Sequence, residues 1–336
     1  MLGPLIVLAT LATIIASQAI ISGAFSLTRQ AIQLGFCPRM RLVQTSETRI
    51  GQVYVPQINW ILMLAAVGLV LGFRSSGALA AAYGVAVTST MLITTVLFCV
   101  VARARFGWNR WIVGTLLVVF LGIDGAFFGA NVSKIFHGAW FPLVIAAAAF
   151  FTMTTWRKGR ALLAAKLGDR LPRIEDFIRM TLDAQRVPGK AVFLTSDADH
   201  VPSSILHNLK HNHVLHEESA FLHIETEEIP RVPRDEKVRV AAVGEGFYRI
   251  SARYGFYETP NVPHVLALAR EQGLDFPLQE VSFFLARERP RRHRRPGMSL
   301  WREHLFEFLS RNSLGATTYF GIPPSQVVEI GAQVQL

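Results

Sequence analysis

Acidic side chains are almost missing from the first 155 residues of this 336-residue chain, where Glu47 and Asp124 are the only two. The same stretch holds nine Lys and Arg, far less charge than the surface of a soluble domain carries. The remaining residues, 156–336, contain 25 basic and 22 acidic groups, the density of an ordinary soluble domain. The scarcity excludes a single uniform globular protein and divides the chain into two parts.

Cysteine is also scarce, since Cys37 and Cys99 are the only two and neither has a metal-ligand spacing. We interpret them as unrelated thiols, which excludes a disulfide scaffold. No grouping of nucleophile, base and acid stands out, so neither an enzyme, a metal site nor a bound cofactor is predicted. The net charge of +10 is high enough to suggest nucleic acid, but +7 of it lies between apolar runs, so no nucleic-acid partner is predicted.

Long apolar runs fill the charge-poor part. A helix rises about 1.5 Å per residue, so about 20 apolar residues cross about 30 Å of hydrocarbon. Five stretches qualify, at 2–24, 55–73, 77–102, 111–130 and 139–155, and the second is the weakest because it contains Pro56 and Asn59. The sequence therefore predicts an α-helical integral membrane protein, with a transmembrane region over 1–156 surrounded by the lipid bilayer.

Lys and Arg concentrate in alternate loops between these runs. Basic short loops mark the cytoplasmic side of a membrane protein. We therefore predict that 25–54, 103–110 and 157–336 are cytoplasmic, and that 74–76 and 131–138 are external. This orientation puts the first residue outside and the last inside, and from it we expect further spans upstream.

Small polar side chains recur on single faces of the first and third spans. One interpretation is that their hydroxyls bond the helix's own carbonyls, or that small residues allow close helix packing. The other is that neutral oxygens line a polar path and replace the water shell of a monovalent cation. The residues that we select as candidates for an ion pathway are Ser17, Gln18, Tyr83 and Thr88.

Asp124 lies near the middle of the fourth predicted span. A carboxylate at that depth costs roughly 2.5–3.5 kcal/mol on insertion scales, so it normally faces a bundle interior, a partner or a cavity. It is either a structural acid paired with a cation elsewhere or a group that takes up and releases a proton. The residues alone leave both interpretations open.

Several distinctive segments run from one end of the chain to the other. They are SQAIISGAFS at 17–26, GQVYVPQINW at 51–60, AAYGVAVT at 81–88, TTW at 154–156, HNLKHN at 207–212, PP at 323–324 and VEIG at 328–331. Together they resemble the KUP/HAK/KT family of potassium uptake permeases, in its bacterial Kup branch, and the third looks like that family's AYGIAVT motif.

The resemblance implies an inverted-repeat fold of the amino acid–polyamine–cation superfamily, with about twelve spans and ion sites at broken helices. This chain resembles the last five spans and the cytoplasmic tail, so we expect it to need upstream spans for transport. The resemblance also implies uptake of potassium with protons across the plasma membrane, and it gives the proton role to Asp124 alone. A regulatory or dimerising tail is a further expectation.

The charged part predicts a basic linker helix over 157–187 and a cytoplasmic α/β domain over 188–336. Pro172 and Pro188-Gly189 are interpreted as punctuation of the linker. Strands are predicted at 191–195, 220–225, 238–243, 247–253, 281–285 and 327–330, and helices at 202–211, 262–271 and 300–311.

Two motifs of the tail have alternative interpretations. Four histidines (His207, His211, His213 and His216) lie close together without Cys or a following Glu, which favours helix-surface histidines over a metal site. The basic stretch 287–295 is either a solvated loop or a contact for anionic lipid or a nucleotide. The main hypothesis is the C-terminal half of a potassium–proton symporter. The alternative is a membrane-anchored sensing or interaction domain without transport.

Overall fold

A computed structural model describes residues 2–44, 53–134, 138, 140–168, 171–291 and 297–335. The chain divides into two compact units. One, called here the helical unit, comprises residues 60–152, and the other, called the sheet unit, comprises residues 1–59 and 153–336. Each is described by itself below.

Four of the described helices are long and apolar enough to cross a membrane: Gly3–Gln33, Pro56–Phe73, Ser76–Ala104 and Arg110–Val132. They belong to α1 (Leu2–Gln33), α2 (Pro56–Phe73), α3 (Ser76–Ala104) and α4 (Arg110–Val132). At about 1.5 Å per residue, the 29 residues of α3 extend about 43 Å, well beyond a hydrocarbon core of about 30 Å. Four of the five predicted spans therefore coincide with helices of membrane-spanning length.

Short polar residues separate the helices of the helical unit. Arg74 adopts a left-handed conformation (φ 51°), and Ser75 then caps α3 by accepting a hydrogen bond from the Ala78 N–H at 3.2 Å. Asn109 caps α4 in the same way, with its side-chain oxygen 3.0 Å from the Trp111 N–H. These caps fix the starts of both helices.

The first helix is longer than predicted. Residues 25–33 were assigned to a cytoplasmic loop, but α1 continues through them to Gln33, so Arg29 lies on a helix. No Gly or Pro interrupts 24–33, and the helix ends before Gly35, whose positive φ of 74° suits a C-terminal cap. The helix therefore carries polar side chains beyond the predicted apolar run.

The fifth predicted span, 139–155, falls on α5 (Trp140–Gly168), apart from residue 139, which lies outside the described residues. This helix is not among the four spans identified by length and composition, because it continues into Arg157, Lys158 and Arg160. Its crossing of the membrane stays a prediction. The predicted linker 157–187 is divided between the end of α5, the short helix α6 (Ile174–Met180) and the start of the first strand of the sheet.

The tail forms a six-stranded sheet in the order β5-β6-β4-β3-β7-β8, in which β5 is antiparallel to β6 and the other pairs are parallel. A separate antiparallel pair joins β1 (Val43–Gln44) and β2 (Val53–Tyr54). The strands of the large sheet are β3 (Arg186–Thr195), β4 (Leu215–Glu227), β5 (Val238–Gly244), β6 (Phe247–Gly255), β7 (Val281–Arg291) and β8 (Val327–Gln335). The helices are α7 (Ser203–Asn212), α8 (Val262–Glu271), α9 (Leu300–Arg311) and α10 (Ala316–Tyr319), with 3-10 turns at Arg234–Glu236 and Pro324–Gln326.

Both faces of this sheet are covered. Successive side chains of a strand point to opposite faces, and Val192 joins the core beneath α8 whereas Phe193 joins the core beneath α6 and α7. Phe193 is paired in register with Phe221 of β4 and with Phe284 of β7. The predicted α/β domain is thus observed, with all six predicted strands and all three predicted helices.

The interpretation of Pro188-Gly189 as linker punctuation is wrong. Both residues lie within β3, where the pairing with β4 shifts between Val187 and Lys190. Proline cannot donate to a ladder, and Gly189 has a φ of 114°, so the pair forms an irregularity in the strand rather than an end. The strand also begins before the predicted domain boundary at 188.

Candidate functional site

The candidate site lies between α3 and α4 of the helical unit, which pack side by side and antiparallel. Gly84, early in α3, lies against Asn131 near the end of α4, and a Cβ atom added at Gly84 would be 2.7 Å from Asn131 Oδ1. Cys99, late in α3, lies beside Val113 near the start of α4, with its Sγ 4.0 Å from the Val113 carbonyl oxygen. The absent side chain at Gly84 therefore leaves room for the Asn131 side chain between the two helices.

Residues three, four and seven apart form the buried seam of α3, as expected for a helix packed along one face. The buried members are Ala81, Ala82, Val85, Thr88, Cys99 and Ala102. On α4 the buried residues are Val113 and Asp124. An ionisable side chain thus occupies a seam that is otherwise made of small and apolar groups.

Asp124 is 4% exposed, and its Oδ2 accepts a hydrogen bond from the Thr95 hydroxyl at 2.6 Å. A hydrogen bond this short is typical of a hydroxyl and a charged carboxylate. Within the described part of the helical unit, no Lys or Arg forms an ion pair with Asp124. The carboxylate therefore lies in a largely apolar seam with a neutral hydroxyl as its donor.

Thr88 is buried on the same seam, but its hydroxyl is engaged by its own helix. It lies 2.8 Å from the Gly84 carbonyl oxygen and 3.4 Å from that of Val85. Ser89 and Thr90 donate in the same way to Val85 and Ala86, at 2.7 and 2.9 Å. These contacts match the first interpretation of the hydroxyls, although each oxygen keeps lone pairs with which to accept another bond.

Tyr83, Ser17 and Gln18 are the other candidate residues. Tyr83 is 70% exposed on α3. Ser17 and Gln18 lie on α1 in the sheet unit, where both side chains are exposed. Within the helical unit, the structure gives no hydrogen bond between Asp124 and either Tyr83 or Thr88.

Thr95, the hydrogen-bond partner of Asp124, is not among the candidates selected from the sequence. The neighbouring Thr94 shares a face of α3 with Tyr83 and Thr90, which are exposed. Thr95 lies seven residues after Thr88, so both side chains are on one face after two helical turns. That spacing could have placed Thr95 on the same face as Thr88, but it could not have shown that this face contacts Asp124.

A second polar cluster lies within the sheet unit, where the end of α1 meets the tail; we call it the α1 dock. Arg29 is buried and donates to the Tyr257 carbonyl oxygen, and its Nη2 is 3.4 Å from Thr259 Oγ1. Gln33 donates to the Glu258 carbonyl oxygen at 2.9 Å and accepts from the Tyr319 hydroxyl at 3.0 Å. Burial raises the pKa of the Tyr319 hydroxyl, so it stays a neutral donor.

The same cluster is completed by the segment after α1. The Arg39 guanidinium carbon lies 5.1 Å from the ring centre of Tyr319 and 4.9 Å from that of Phe320. The Leu314 N–H donates to the Arg39 carbonyl oxygen at 2.8 Å. The α1 dock thus links the first membrane helix to the α/β domain by side-chain and backbone contacts.

The remaining sequence motifs of the tail have modest roles. The rings of His207 and His211 stack on α7 with centres 6.0 Å apart, and His213 ends that helix in the left-handed conformation. Burial lowers the pKa of His216. No group of three His, Cys, Asp or Glu among the described residues has the arrangement of a metal site. Residues 292–295 of the basic stretch lie outside the described residues, so its interpretation stays a prediction.

Comparisons with known proteins agree on one kind of protein over nearly the whole chain. Residues 1–161 match the model of the K+ potassium transporter integral membrane domain, and residues 188–336 match that of the K+ potassium transporter C-terminal domain. A probable potassium transport system protein Kup from Chlorobium chlorochromatii is 54% identical over 336 residues, which cover 99% of this chain and 54% of that protein.

Other relatives have similar sequence identities and coverages. The Kup protein of Myxococcus xanthus is 52% identical, with 100% of this chain and 52% of the relative covered. The Kup 1 protein of Paramagnetospirillum magneticum is 49% identical, with 99% and 52% covered. The chain thus spans about half the length of the curated relatives it matches.

Proposed function

This chain belongs to the KUP/HAK/KT family of potassium uptake permeases, in its bacterial Kup branch, and from that membership we propose that it forms part of a potassium–proton symporter. The family is one of membrane transporters and not of enzymes. In this proposal the chain acts together with further spans of the same transporter, and Asp124 is the group that couples potassium to protons.

The observation that carries the proposal is the buried Asp124 with a neutral partner. Potassium can be bound by neutral oxygens alone. Coupling to protons also needs a group that gains and loses charge within the membrane, and Asp124 is the sole acid of the helical unit. A carboxylate already neutralised by a fixed cation would serve that purpose poorly.

The Thr95 hydroxyl suits both forms of such a carboxyl. It donates to the charged carboxylate at 2.6 Å. When the carboxyl is protonated and becomes a donor, the hydroxyl can rotate and accept, because Thr has both a donor and two lone pairs. Proton uptake and release at Asp124 then require no change in the packing of α3 against α4.

The ion pathway and the topology belong to the same proposal. Oxygens of Tyr83, Thr88, Ser17 and Gln18 are the candidates to contact potassium along the path. The Lys and Arg bias supports a cytoplasmic α/β domain, and the family membership supports a location in the plasma (inner) membrane. The inverted-repeat fold of the amino acid–polyamine–cation superfamily is included on the strength of the family membership. A homodimer and a nucleotide ligand of the tail stay predictions.

Uptake by a hybrid transporter tests the proposal. This chain replaces the region that it matches in the Chlorobium chlorochromatii relative, and the hybrid is expressed in bacteria that lack their own potassium uptake systems. We expect rubidium, used as a tracer for potassium, to enter faster than in cells with an empty vector, and faster still at acidic external pH. The unaltered relative is the matched control for expression.

A hybrid that reaches the membrane in normal amount but takes up no rubidium would contradict the proposal. That result would favour the alternative, in which the membrane helices anchor a sensing or interaction domain. The α1 dock is the observation that supports this alternative. It fixes the α/β domain to the end of a membrane helix, and its contacts do not involve Asp124.

A further inference from the structure

Helix α9 is apolar on two faces. Its inner face is buried, with Phe306 fully enclosed. On its outer face, Trp301 and Phe308 are 53% and 63% exposed, and the half-buried Leu305 lies between them. The spacing of four and then three residues puts these side chains in one stripe along the helix, which we call the α9 stripe.

The inner face fixes where α9 lies along α5. The ring of Phe306 packs on that of Trp156 with centres 5.4 Å apart. It also fills the space over Gly159, where an added Cβ atom would lie 2.2 Å from the Phe306 ring. This contact leaves α9 no freedom to slide along α5.

Polar contacts place the start of α9 at the end of the fifth predicted span. Arg302 donates to the Thr155 hydroxyl at 3.0 Å and to the Thr154 hydroxyl at 2.8 Å. Thr155 is the last residue of that span. The Phe306 ring contacts Trp156 and Gly159, between which α5 rises only about 5 Å, and the head-group region is about 5–7 Å thick on each side of the hydrocarbon.

The charges around α9 are those of a surface facing anionic lipid. Arg157, Lys158 and Arg160 are exposed on α5 in this zone. Arg311, at the end of α9 itself, is also exposed and forms an ion pair with Glu307 at 2.7 Å. Clusters of Lys and Arg directly cytoplasmic of a membrane helix are attracted to the anionic lipids of the inner leaflet.

We propose that α9 is an interfacial helix whose stripe of Trp301, Leu305 and Phe308 inserts into the head-group region of the cytoplasmic leaflet. Tryptophan beside basic residues is typical of helices that lie in the plane of this interface. The occupant of the stripe is therefore lipid, because α9 is held at the depth where lipid surrounds α5. This placement rests on the membrane location in the proposed function, and it gives the α/β domain an attachment to the bilayer besides its chain connections.

Site-directed spin labelling of the full chain in vesicles containing anionic lipid tests the proposal. Cys37 and Cys99 are replaced by Ala, and one nitroxide is placed at Phe308→Cys. We expect its collisions with oxygen, which concentrates in lipid, to be severalfold more frequent than those with a water-soluble nickel chelate. The matched control is Ala242→Cys on β5, at the sheet edge opposite to β8, where the nickel chelate should collide more often.

Two results would overturn the proposal. A label at position 308 that meets the nickel chelate as often as the label at 242 would put the α9 stripe in water. A label shielded from both reagents would put the stripe against protein, as in a contact with a second copy. If the Cys-free chain is unstable, quenching of Trp301 fluorescence by lipids brominated near the head group measures the same contact with lipid. The Trp301→Phe variant is the control. Neither readout depends on transport, so a failure here is distinct from a failure of the uptake experiment.

Discussion

The α3–α4 pair of the helical unit and the six-stranded sheet of the tail place their polar groups in opposite ways. In the helix pair, the hydroxyls of Thr88, Ser89 and Thr90 donate to carbonyls of their own helix. In the sheet, polar side chains are paired across the fold, as Lys237 is with Glu258. A lipid-surrounded helix must satisfy its polar groups internally, so the hydrogen bond between Asp124 and Thr95 across two helices differs from this pattern, and the proposed function assigns it a role in transport.

The apolar side chains differ between the two regions as well. In the sheet domain the large ones are mostly enclosed, and Phe193, Phe221 and Phe247 are among the largest fully buried side chains. On α4 many of them face outward, as Phe127 does. The comparison teaches that apolar packing stabilises the tail, whereas the helical unit depends on close backbone contact at a narrow seam.

The largest expected effect is a loss of stability when a buried phenylalanine of the tail is removed. An exposed phenylalanine of the helical unit serves as the comparison. Phe221→Ala should lower the free energy of unfolding of the tail by about 3–5 kcal/mol, because it leaves a cavity among Phe177, Phe193 and Phe247. Phe127→Ala should change stability little, since that ring is 57% exposed on a helix of the membrane region. Thermal unfolding of the two variants, followed by near-ultraviolet circular dichroism, gives the measurement. Equal losses would break the comparison.

The next effect concerns the seam between α3 and α4. Gly84→Ala should destabilise the helix pair by about 1–3 kcal/mol, because the new methyl group would meet Asn131 Oδ1 at 2.7 Å. Gly114→Ala on α4 is the control, since nothing lies within 4 Å of a Cβ atom there. Alanine should be neutral or favourable at that position, because it is the better helix former. Hydrogen exchange of α3 and α4 amides would report both variants, and protection unchanged in Gly84→Ala would contradict the tight seam.

A smaller loss of tail stability, about 1 kcal/mol, is expected when the Glu258 carboxylate is removed. Burial by itself raises the pKa of this carboxyl, but hydrogen bonds from Lys237 and from the N–H groups of Gly255 and Val232 outweigh it, and the pKa lies below its ordinary value. A lowered pKa in the folded state stabilises the fold above the unfolded value, about 4.3, and this stabilisation is lost as the pH falls through the folded value.

The variant Glu258→Gln should therefore flatten the loss of tail stability below about pH 4.3 and lower the stability at neutral pH. The control is Glu245→Gln, at the exposed turn between β5 and β6. Urea unfolding at a series of pH values measures both. A Gln variant with the same acid sensitivity as the unaltered chain would show that Glu258 is not a source of the dependence.

The smallest expected effect tests the partner of Asp124. Thr95→Val removes the hydroxyl that donates to the carboxylate and should lower rubidium uptake by the hybrid transporter several-fold, with normal protein in the membrane. Thr90→Val removes a hydroxyl that bonds only the Ala86 carbonyl of its own helix, and uptake should be unchanged. If both variants behave alike, the Thr95 contact has no special role.

Much of the fold was predictable, because many of its helices and strands are revealed by patterns within short stretches of sequence. Short strand-like runs predicted all six strands of the sheet, and long uncharged runs predicted the membrane helices. The extension of α1 to Gln33 was missed because Arg29 was taken as a loop residue, yet its charge is stabilised by carbonyl and hydroxyl oxygens of a distant segment. The position of Pro188-Gly189 inside a strand was also missed, because local propensity cannot show that a neighbouring strand accommodates an irregularity.

The candidate site was predictable only in part. Asp124 could be selected from the sequence, because a lone acid within an apolar run is costly in a membrane. Its partner could not, since the choice between Thr94 and Thr95 depends on which face of α3 meets α4. The close approach that settles this choice comes from Gly84 and Asn131, two residues far apart in the sequence.

In the proposed mechanism, Asp124 couples protons to potassium uptake. Asp124→Asn keeps the size and hydrogen bonding of the side chain and removes its charge. Rubidium uptake by the hybrid transporter, normalised to the amount of protein in the membrane, is measured from about pH 5.5 to about pH 8. We expect normal protein level, a lower rate and a flattened pH dependence in the Asn variant. An Asn variant with the rate and pH profile of the unaltered hybrid would contradict the claim and remove Asp124 from the mechanism.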